Sequence, residues 1–447
     1  MLYCKKKILE GGRAVNWYQG AVPKEWIVKI HICEKLPALD WDEQWWADSC
    51  LAHCARRGSE LFLSGEKIQV QTAMFEGFLS VKEIHGLEQL DASFCQDLSR
   101  LFAGCSSLKR ADLSAWNTSS IFKAEGLFDG CVSLEYAELS DWDLSHCCSI
   151  SAMFRECNRL QNLDVSRWDV SQVRDFSDAF SCCYALEFLN ISTWNTASAQ
   201  TMEGLFNRCS SLTHLDVSHW NTEQLQNGRY LFHRCEKLKK LDLKHWNFRK
   251  DMDCRNMFLQ MYGSITLPRQ RRFRTLQPRD SWLREHLRGG RLQSVATIAL
   301  QKKMEENSWY DACWAVDEAG SGFLFCVKQG EKLIICSRGG SVYTNEDSSL
   351  CFCFPDENGV SWLQKIEGLE LLNTRYTRDF SFMFSGNIGL QRMDAAHFDF
   401  SSANNVSGMF LNCRSLQELN TVSWQIPSDA EQQGMFQGCA SLQKAEK

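Results

Sequence analysis

The sequence predicts an α/β solenoid in which every repeat supplies one short strand and one short helical turn. Three observations predict it. One pattern of residues recurs at a fixed interval of 26 residues. Within each repeat, the spacing of apolar residues changes from about one helical turn to strict alternation. The chain is also 447 residues long with 44% apolar content, which is typical of a packed protein with two domains or one long array.

Phenylalanine marks the first element of the repeat. In a typical copy, Phe154, Cys157 and Leu160 follow one another at intervals of three residues, so they fall on one side of a short helical turn. The phenylalanine recurs in two uninterrupted series, at Phe102, Phe128, Phe154, Phe180, Phe206, Phe232 and Phe258, and at Phe384, Phe410 and Phe436.

A half-buried strand is the second element. Leu163, Asp164 and Val165 alternate apolar and polar side chains, and a turn rich in serine and threonine follows, with Trp168 in this copy. One repeat cannot bury its own apolar face, but stacked neighbours bury a continuous core. The predicted core consists of Phe128, Phe154, Phe180, Phe206, Cys131, Cys157, Cys183, Cys209, Leu160, Leu186, Trp142, Trp168, Trp194 and Trp220.

Matching segments precede the two phenylalanine series. Residues 54–63 align with 326–335, and residues 84–91 align with 366–373. The second pair of segments begins 18 residues before the first phenylalanine of its series in both cases. We predict an N-terminal β-hairpin cap on each array, since an end repeat would otherwise expose its apolar face and an unpaired edge. The predicted organisation is an N-terminal segment of unclear role (1–46), a cap plus first array (47–268), a basic arginine-rich linker (269–306), and a cap plus second, shorter array (307–447).

The repeat resembles that of a known family. Residues 154–171, FRECNRLQNLDVSRWDVS, follow the pattern of the BspA-like leucine-rich repeat surface proteins, which are mostly bacterial, and the resemblance covers roughly 47–268 and 320–447. It implies a leucine-rich-repeat-like solenoid displayed at the cell surface or secreted, and used for adhesion. The sequence itself has no signal-peptide-like apolar run after Met1, no anchor and no apolar stretch of 18 residues, so the location stays open between cell surface and cytoplasm.

The 22 cysteines could form disulfides or a metal site if stacking brings them together. Cysteine is, however, a small side chain that is commonly buried, and adjacent pairs such as Cys182 and Cys183 lack the spacing of zinc ligands. We therefore predict structural cysteines, no metal and no cofactor.

An acidic column accompanies the strands. Like charges on paired strands could attract a cation, or each side chain could accept hydrogen bonds from its own turn. The second interpretation is favoured because the position recurs together with the scaffold residues. The column consists of Asp112, Glu138, Asp164, Asn190, Asp216 and Asp242.

Two columns change from repeat to repeat, and in a repeat array such positions are free to specify a partner. His219 and His245, one repeat apart, are interpreted as a chance pair and not as a metal or acid–base cluster. The predicted partner-binding residues are Arg110, Tyr136, Asn162, Phe188, His214 and Lys240 in one column, and Asp141, Arg167, His219 and His245 in the other.

No phosphate loop, nucleophile elbow or zinc-protease motif occurs in the sequence, so no enzyme is expected. The sequence predicts a non-enzymatic, adhesin-like scaffold that binds a protein, with no small-molecule substrate and no membrane insertion. The net charge of −6 disfavours nucleic acid. The alternative is an intracellular adaptor or effector whose basic linker contacts nucleic acid or an acidic partner, and a steep loss of binding with salt would support it.

Overall fold

The structure is a computed structural model that describes residues 17–268, 274–277, 295–304, 312–317, 319, 321–338, 340–354 and 361–446. The chain divides into two compact units, Met1–Asp253 and Cys254–Lys447. Short strands and turns dominate both units. The helices among the described residues are single 3-10 turns at Lys24–Trp26, Leu87–Gln89 and Leu369–Leu371.

The first unit begins with a five-stranded sheet and continues with very short strands. Its strands are β1 (Lys29–Cys33), β2 (Glu43–Ala47), β3 (Ala52–Arg57), β4 (Glu60–Ser64), β5 (Ile68–Gln69), β6 (Glu83–His85), β7 (Leu90–Asp91), β8 (Arg110–Asp112), β9 (Tyr136–Glu138) and β10 (Lys240–Asp242).

The second unit has the same succession. Its strands are β11 (Ser264–Thr266), β12 (Thr297–Gln301), β13 (Ala312–Ala315), β14 (Phe325–Gln329), β15 (Lys332–Cys336), β16 (Val342–Tyr343), β17 (Lys365–Glu367), β18 (Leu372–Asn373), β19 (Arg392–Asp394), β20 (Glu418–Asn420) and β21 (Lys444–Glu446).

The two cap sheets share one topology. The strand order is β2-β3-β4-β1-β6 in the first and β13-β14-β15-β12-β17 in the second. The antiparallel hairpin β3–β4 corresponds to β14–β15, while β1 and β12 each run parallel to both of their neighbours. The first cap sheet therefore begins at Lys29, upstream of residue 47, and the second takes β12 from the segment 269–306.

A glycine follows the last strand of each cap sheet. Gly86 and Gly368 have φ values of +81° and +74°, in the left-handed region that glycine adopts without strain. A Cβ atom there would lie 2.1 Å from the carbonyl oxygen of Ile32 or 2.2 Å from that of Leu300. These contacts explain why the same glycine stands in both matching cap segments.

Successive repeats pair in parallel at residues 26 positions apart. In the first unit, Ala111 of β8 pairs with Ala137 of β9. A second line of parallel bridges joins Asp97, Lys123, Ser149, Asp175, Thr201, Asn227 and Asp253 in turn. In the second unit β19, β20 and β21 form a parallel sheet.

The predicted helical turn is wrong. The backbone N–H groups of Phe154 and Glu156 donate to carbonyls of the next repeat, those of Ala179 and Ser181, both at 2.8 Å. The N–H of Cys157 closes a single turn on the carbonyl of Phe154. An α-helix would direct every N–H to the residue four positions earlier. Here alternate N–H groups point out of the coil, and Glu156 has a φ of 62°, so no helix can propagate.

Aromatic side chains stack through the core. All fourteen predicted core residues are buried, and the rings of Phe102 and Phe128 lie 5.1 Å apart and nearly parallel. The column begins one coil earlier than the fixed period indicates, at Phe75 in the first unit and Phe352 in the second. Burying one such ring stabilises the fold by about 1.5–3 kcal/mol.

The coil around Phe258, the last of the first series, belongs to the second compact unit. Its N–H donates to the carbonyl of Ser321, 2.8 Å away. The guanidinium of the half-buried Arg338 donates to the carbonyls of Phe258, at 2.7 Å, and of Met261. Within this unit, residues of the cap segment thus form the hydrogen bonds with the Phe258 coil that a following repeat would otherwise form.

Candidate binding surfaces

The strands of the first unit expose one side to solvent. In β8, Arg110 and Asp112 are exposed while Ala111 between them is buried, as alternation along a strand requires. The same position of each repeat therefore builds one surface, which we call the strand face. All six residues of the first predicted column are exposed on it: Arg110, Tyr136, Asn162, Phe188, His214 and Lys240.

Two aromatic side chains stand out on the strand face. Tyr136 is 40% exposed and Phe188 is 60% exposed. Tyr136 is bridged to Asn162 and Phe188 to His214, so the two rings are two repeats apart, roughly 10 Å at the usual strand spacing. Aromatic side chains at that separation can enter two pockets of one partner.

The acidic column lies beside the aromatic one, and its side chains cap their own turns. Asp164 accepts hydrogen bonds from the backbone N–H of Ser166 at 3.0 Å and from its hydroxyl at 2.7 Å. These bonds lower the pKa of Asp164, and Ser218 lowers that of Asp216 in the same way. The turn-capping interpretation is confirmed, and no group of three His, Cys, Asp or Glu side chains in the described ranges could hold a metal ion.

The second variable column is also exposed, at Asp141, Arg167, His219 and His245. Arg167 forms an ion pair with Asp141 of the preceding repeat, with 2.8 Å between Nη1 and Oδ1. An exposed pair of this kind contributes little to stability, on the order of 0–1 kcal/mol. The two carry charges that partly neutralise each other, so this column offers a weaker anchor than the aromatic pair.

The repeat cysteines donate hydrogen bonds, a role that the sequence analysis missed. The thiol of Cys157 donates to the carbonyl of Phe128 at 3.3 Å, and that of Cys183 to the carbonyl of Phe154 at 3.2 Å. Burial raises the pKa of both thiols. The repeat cysteines form no disulfide: Cys105, Cys131, Cys157, Cys183, Cys209, Cys235, Cys413 and Cys439.

Asn387 shows what the cysteine position requires. It replaces cysteine in the second series, is buried, and donates from Nδ2 to the carbonyls of Phe352 at 3.1 Å and Phe384 at 2.8 Å. Both side chains can donate to the carbonyl of the preceding phenylalanine. This substitution was the one signal in the sequence that pointed to a donor.

The second unit carries a groove of 1270 Å³ along its strands. Its floor is formed by β17, β19 and β20, and its lining includes a column of glutamines directly before β17, β19, β20 and β21, together with the half-exposed Trp362. We call it the glutamine groove. The column consists of Gln364, Gln391, Gln417 and Gln443, and all four side chains are exposed.

A family profile described as "Mycoplasma protein of unknown function, DUF285" matches residues 71–188, 161–264 and 360–447, more than half of the chain. The chain belongs to this family. The matched ranges contain every phenylalanine of both series. The finer likeness to the BspA-like proteins stays a prediction.

Other comparisons add little. No curated protein matches the chain. The crystal structure of a TLR13–ssRNA13 complex is 15% identical, with a TM-score of 0.20, over 78% of this chain and 54% of that chain. The chain thus spans about half the length of the solved structure that it matches, and so low a TM-score does not bear on the fold.

Most of the basic segment 269–306 lies outside the described residues, so the alternative of an adaptor with a basic contact surface is untested. Among the residues with described structure, no helix is long and apolar enough to cross a membrane.

Proposed function

We propose that this DUF285 protein is a non-enzymatic, adhesin-like scaffold that binds a partner protein through the strand face of its first unit. We further propose that its repeats form a leucine-rich-repeat-like solenoid of the BspA-like kind. The supporting observation is that each repeat combines a constant buried column with a variable exposed one on the same strand. The rigid core fixes where Tyr136 and Phe188 stand, so little conformational entropy is lost when a partner binds them.

The flanking residues favour a partner of mixed charge. Arg110 is paired in register with Tyr136, and the acidic column runs alongside. An aromatic centre surrounded by charged residues of both signs matches the anatomy of protein interfaces, which have an apolar core and a polar rim. Since the acidic side chains are held by their own turns, they present fixed charges to the partner.

The test replaces the aromatic pair. In the full chain, p-benzoylphenylalanine at position 188 would crosslink the partner for identification by mass spectrometry, and its dissociation constant would then be measured. We expect the double variant Tyr136→Ala, Phe188→Ala to weaken binding at least about tenfold, as loss of hot-spot residues does.

The matched control is Phe122→Ala. Phe122 is 53% exposed but precedes Lys123 on the other line of bridges, away from the strand column. This variant should bind as the unchanged protein does. Equal binding by the double variant, or an equal loss in the control, would refute the assignment of the strand face.

A further inference from the structure

The glutamine column is specific to the second unit. In the first unit the same repeat position, directly before the strand, carries different side chains: Lys82, Lys109, Glu135, Gln161, Glu187, Thr213 and Lys239. The scaffold therefore tolerates charged and uncharged residues there. The residues directly before β17, β19, β20 and β21 are all glutamine, so stacking alone does not explain the choice.

The glutamine amides are available to a ligand. All four side chains are exposed, and among the described residues none of their amide groups makes a hydrogen bond to another protein group. Gln391, Gln417 and Gln443 precede three adjacent hydrogen-bonded strands, β19, β20 and β21. Their backbones are therefore spaced at about 4.8 Å, one strand to the next.

The charges that line the groove cancel. Lys365 and Arg392 are balanced by Asp394 and Glu418. Arg392 pairs with Glu418 at 3.2 Å, and Lys365 pairs with Glu367 at 2.8 Å. A polyanion such as nucleic acid gains nothing from a neutral groove, because its binding depends on unpaired basic side chains.

We propose that the glutamine groove binds a linear, neutral oligosaccharide. Each amide offers both donors and an acceptor, and a sugar hydroxyl likewise donates and accepts, so the two sets of groups are complementary. Trp362 is half-exposed and lines the groove together with Gln364. The C–H face of a sugar packs against exposed aromatic surface of this kind. This site is independent of the protein-binding strand face.

The spacing favours a glycan over a peptide. A sugar ring in an extended chain advances by about one strand spacing, so successive rings meet successive glutamines. An extended peptide advances about 3.3 Å per residue, and its side chains on one face recur at about twice that distance. Neither peptide interval matches the glutamine column.

The experiment is calorimetric titration of the full chain with four neutral hexasaccharides: cellohexaose, β-1,4-mannohexaose, chitohexaose and maltohexaose. We expect at least one to bind, and the double variant Gln391→Ala, Gln417→Ala to raise its dissociation constant about tenfold or more. The control is Gln161→Ala, which removes an exposed glutamine from the same repeat position in the first unit and should leave binding unchanged.

Thermal unfolding of each variant would show that the fold is intact, since all the substituted side chains are exposed. Failure of all four sugars to bind, or an equal loss with Gln161→Ala, would overturn the proposal. So would glutamine-dependent binding of an extended peptide in place of the sugars. None of these results would affect the strand face, which is tested by Tyr136 and Phe188.

Discussion

Single side chains of the repeat combine burial with hydrogen bonding. The repeat cysteine is a core residue, as its sequence position predicts, but its thiol also satisfies a carbonyl of the preceding coil. The sequence could identify burial from the fixed spacing. It could not identify the donor, because Met261 and Asn387 occupy the same position and differ in polarity.

Adjacent cysteines should differ in reactivity. Cys183 is fully buried and Cys182 is half-buried, and the same holds for Cys147 and Cys148. Burial raises the pKa of Cys147 to about 12 and raises that of Cys183 further, so their thiolates are scarce. We expect iodoacetamide to label Cys182 and Cys148 at least about tenfold faster, measured by peptide mass spectrometry.

In denaturant the four cysteines should react at similar rates, which is the control for intrinsic differences between peptides. Native labelling of Cys183 as fast as that of Cys182 would contradict the buried, hydrogen-bonded state of the column.

His233 should make stability depend on pH. Its Nδ1 lies 2.9 Å from Oδ1 of Asn207, and burial lowers its pKa to about 4. The unfolded chain, with a histidine pKa of about 6.5, binds this proton first as the pH falls. The free energy of unfolding should therefore decrease from about pH 7 to about pH 4, by up to about 3 kcal/mol from this site.

The variant His233→Asn tests this in urea unfolding at several pH values. The preceding repeat already has Asn207 at this position, so the substitution suits the scaffold. Its stability should vary less with pH between neutral and acidic conditions. If the free energy of unfolding varied with pH equally in the two proteins, His233 would not be the cause of the pH dependence.

At the scale of elements, the strands and caps were easier to predict than the turns. The hairpins β3–β4 and β14–β15 fall in the segments that match between the two arrays. Strands β1 and β12 were missed because each is parallel to partners far along the chain, and a parallel pair has no turn between its strands to mark it. The helical turn was wrong because spacing by three residues is shared by helices and consecutive turns.

At the scale of elements, Arg338 connects the cap segment of the second unit to the coil around Phe258. Its side chain is half-buried, donates to the carbonyls of Phe258 and Met261, and lies with its guanidinium 4.8 Å from the ring centre of Phe325. Burial lowers its pKa to about 10, which leaves it charged at neutral pH. Arg338→Ala should destabilise the second unit by about 2–4 kcal/mol, because buried carbonyls lose their donors.

The measurement is hydrogen exchange of peptides that cover β14 and β15, with Arg375→Ala as the control. Arg375 is exposed, and its guanidinium lies over the ring of Tyr376. Exchange in these strands should accelerate only in the Arg338 variant. Similar protection in both variants would show that the carbonyls find other partners.

At the scale of the whole chain, the fixed period predicted the repeats, the two series and the core, since stacking demands the same side chain at the same phase. The candidate sites were predicted in part. The strand face followed from variability along the first series. The sequence did not predict the glutamine groove. The position directly before the strand varies along the first series, and its repetition as glutamine in the second series shows only when the two series are compared.

Folding should depend more on keeping the 26-residue register between repeats than on how many repeats the chain has. Deleting residues 163–188 removes one complete repeat and rejoins every column in register, so the protein should fold with modestly reduced stability. Deleting residues 163–182 instead places core positions opposite exposed ones. Circular dichroism and thermal unfolding should show a cooperative transition for the first deletion and its loss for the second.

The backbone bonds between coils, such as that from Phe154 to Ala179, also have a mechanical consequence. They run from each coil of the first unit to the next, so a pulling force along that direction would act on the coils in series, with the same load on each. Each release would free 26 residues, roughly 90 Å of extended chain. Under tension, this unit should lengthen in equal steps, because the hydrogen bonds between successive coils break one coil at a time.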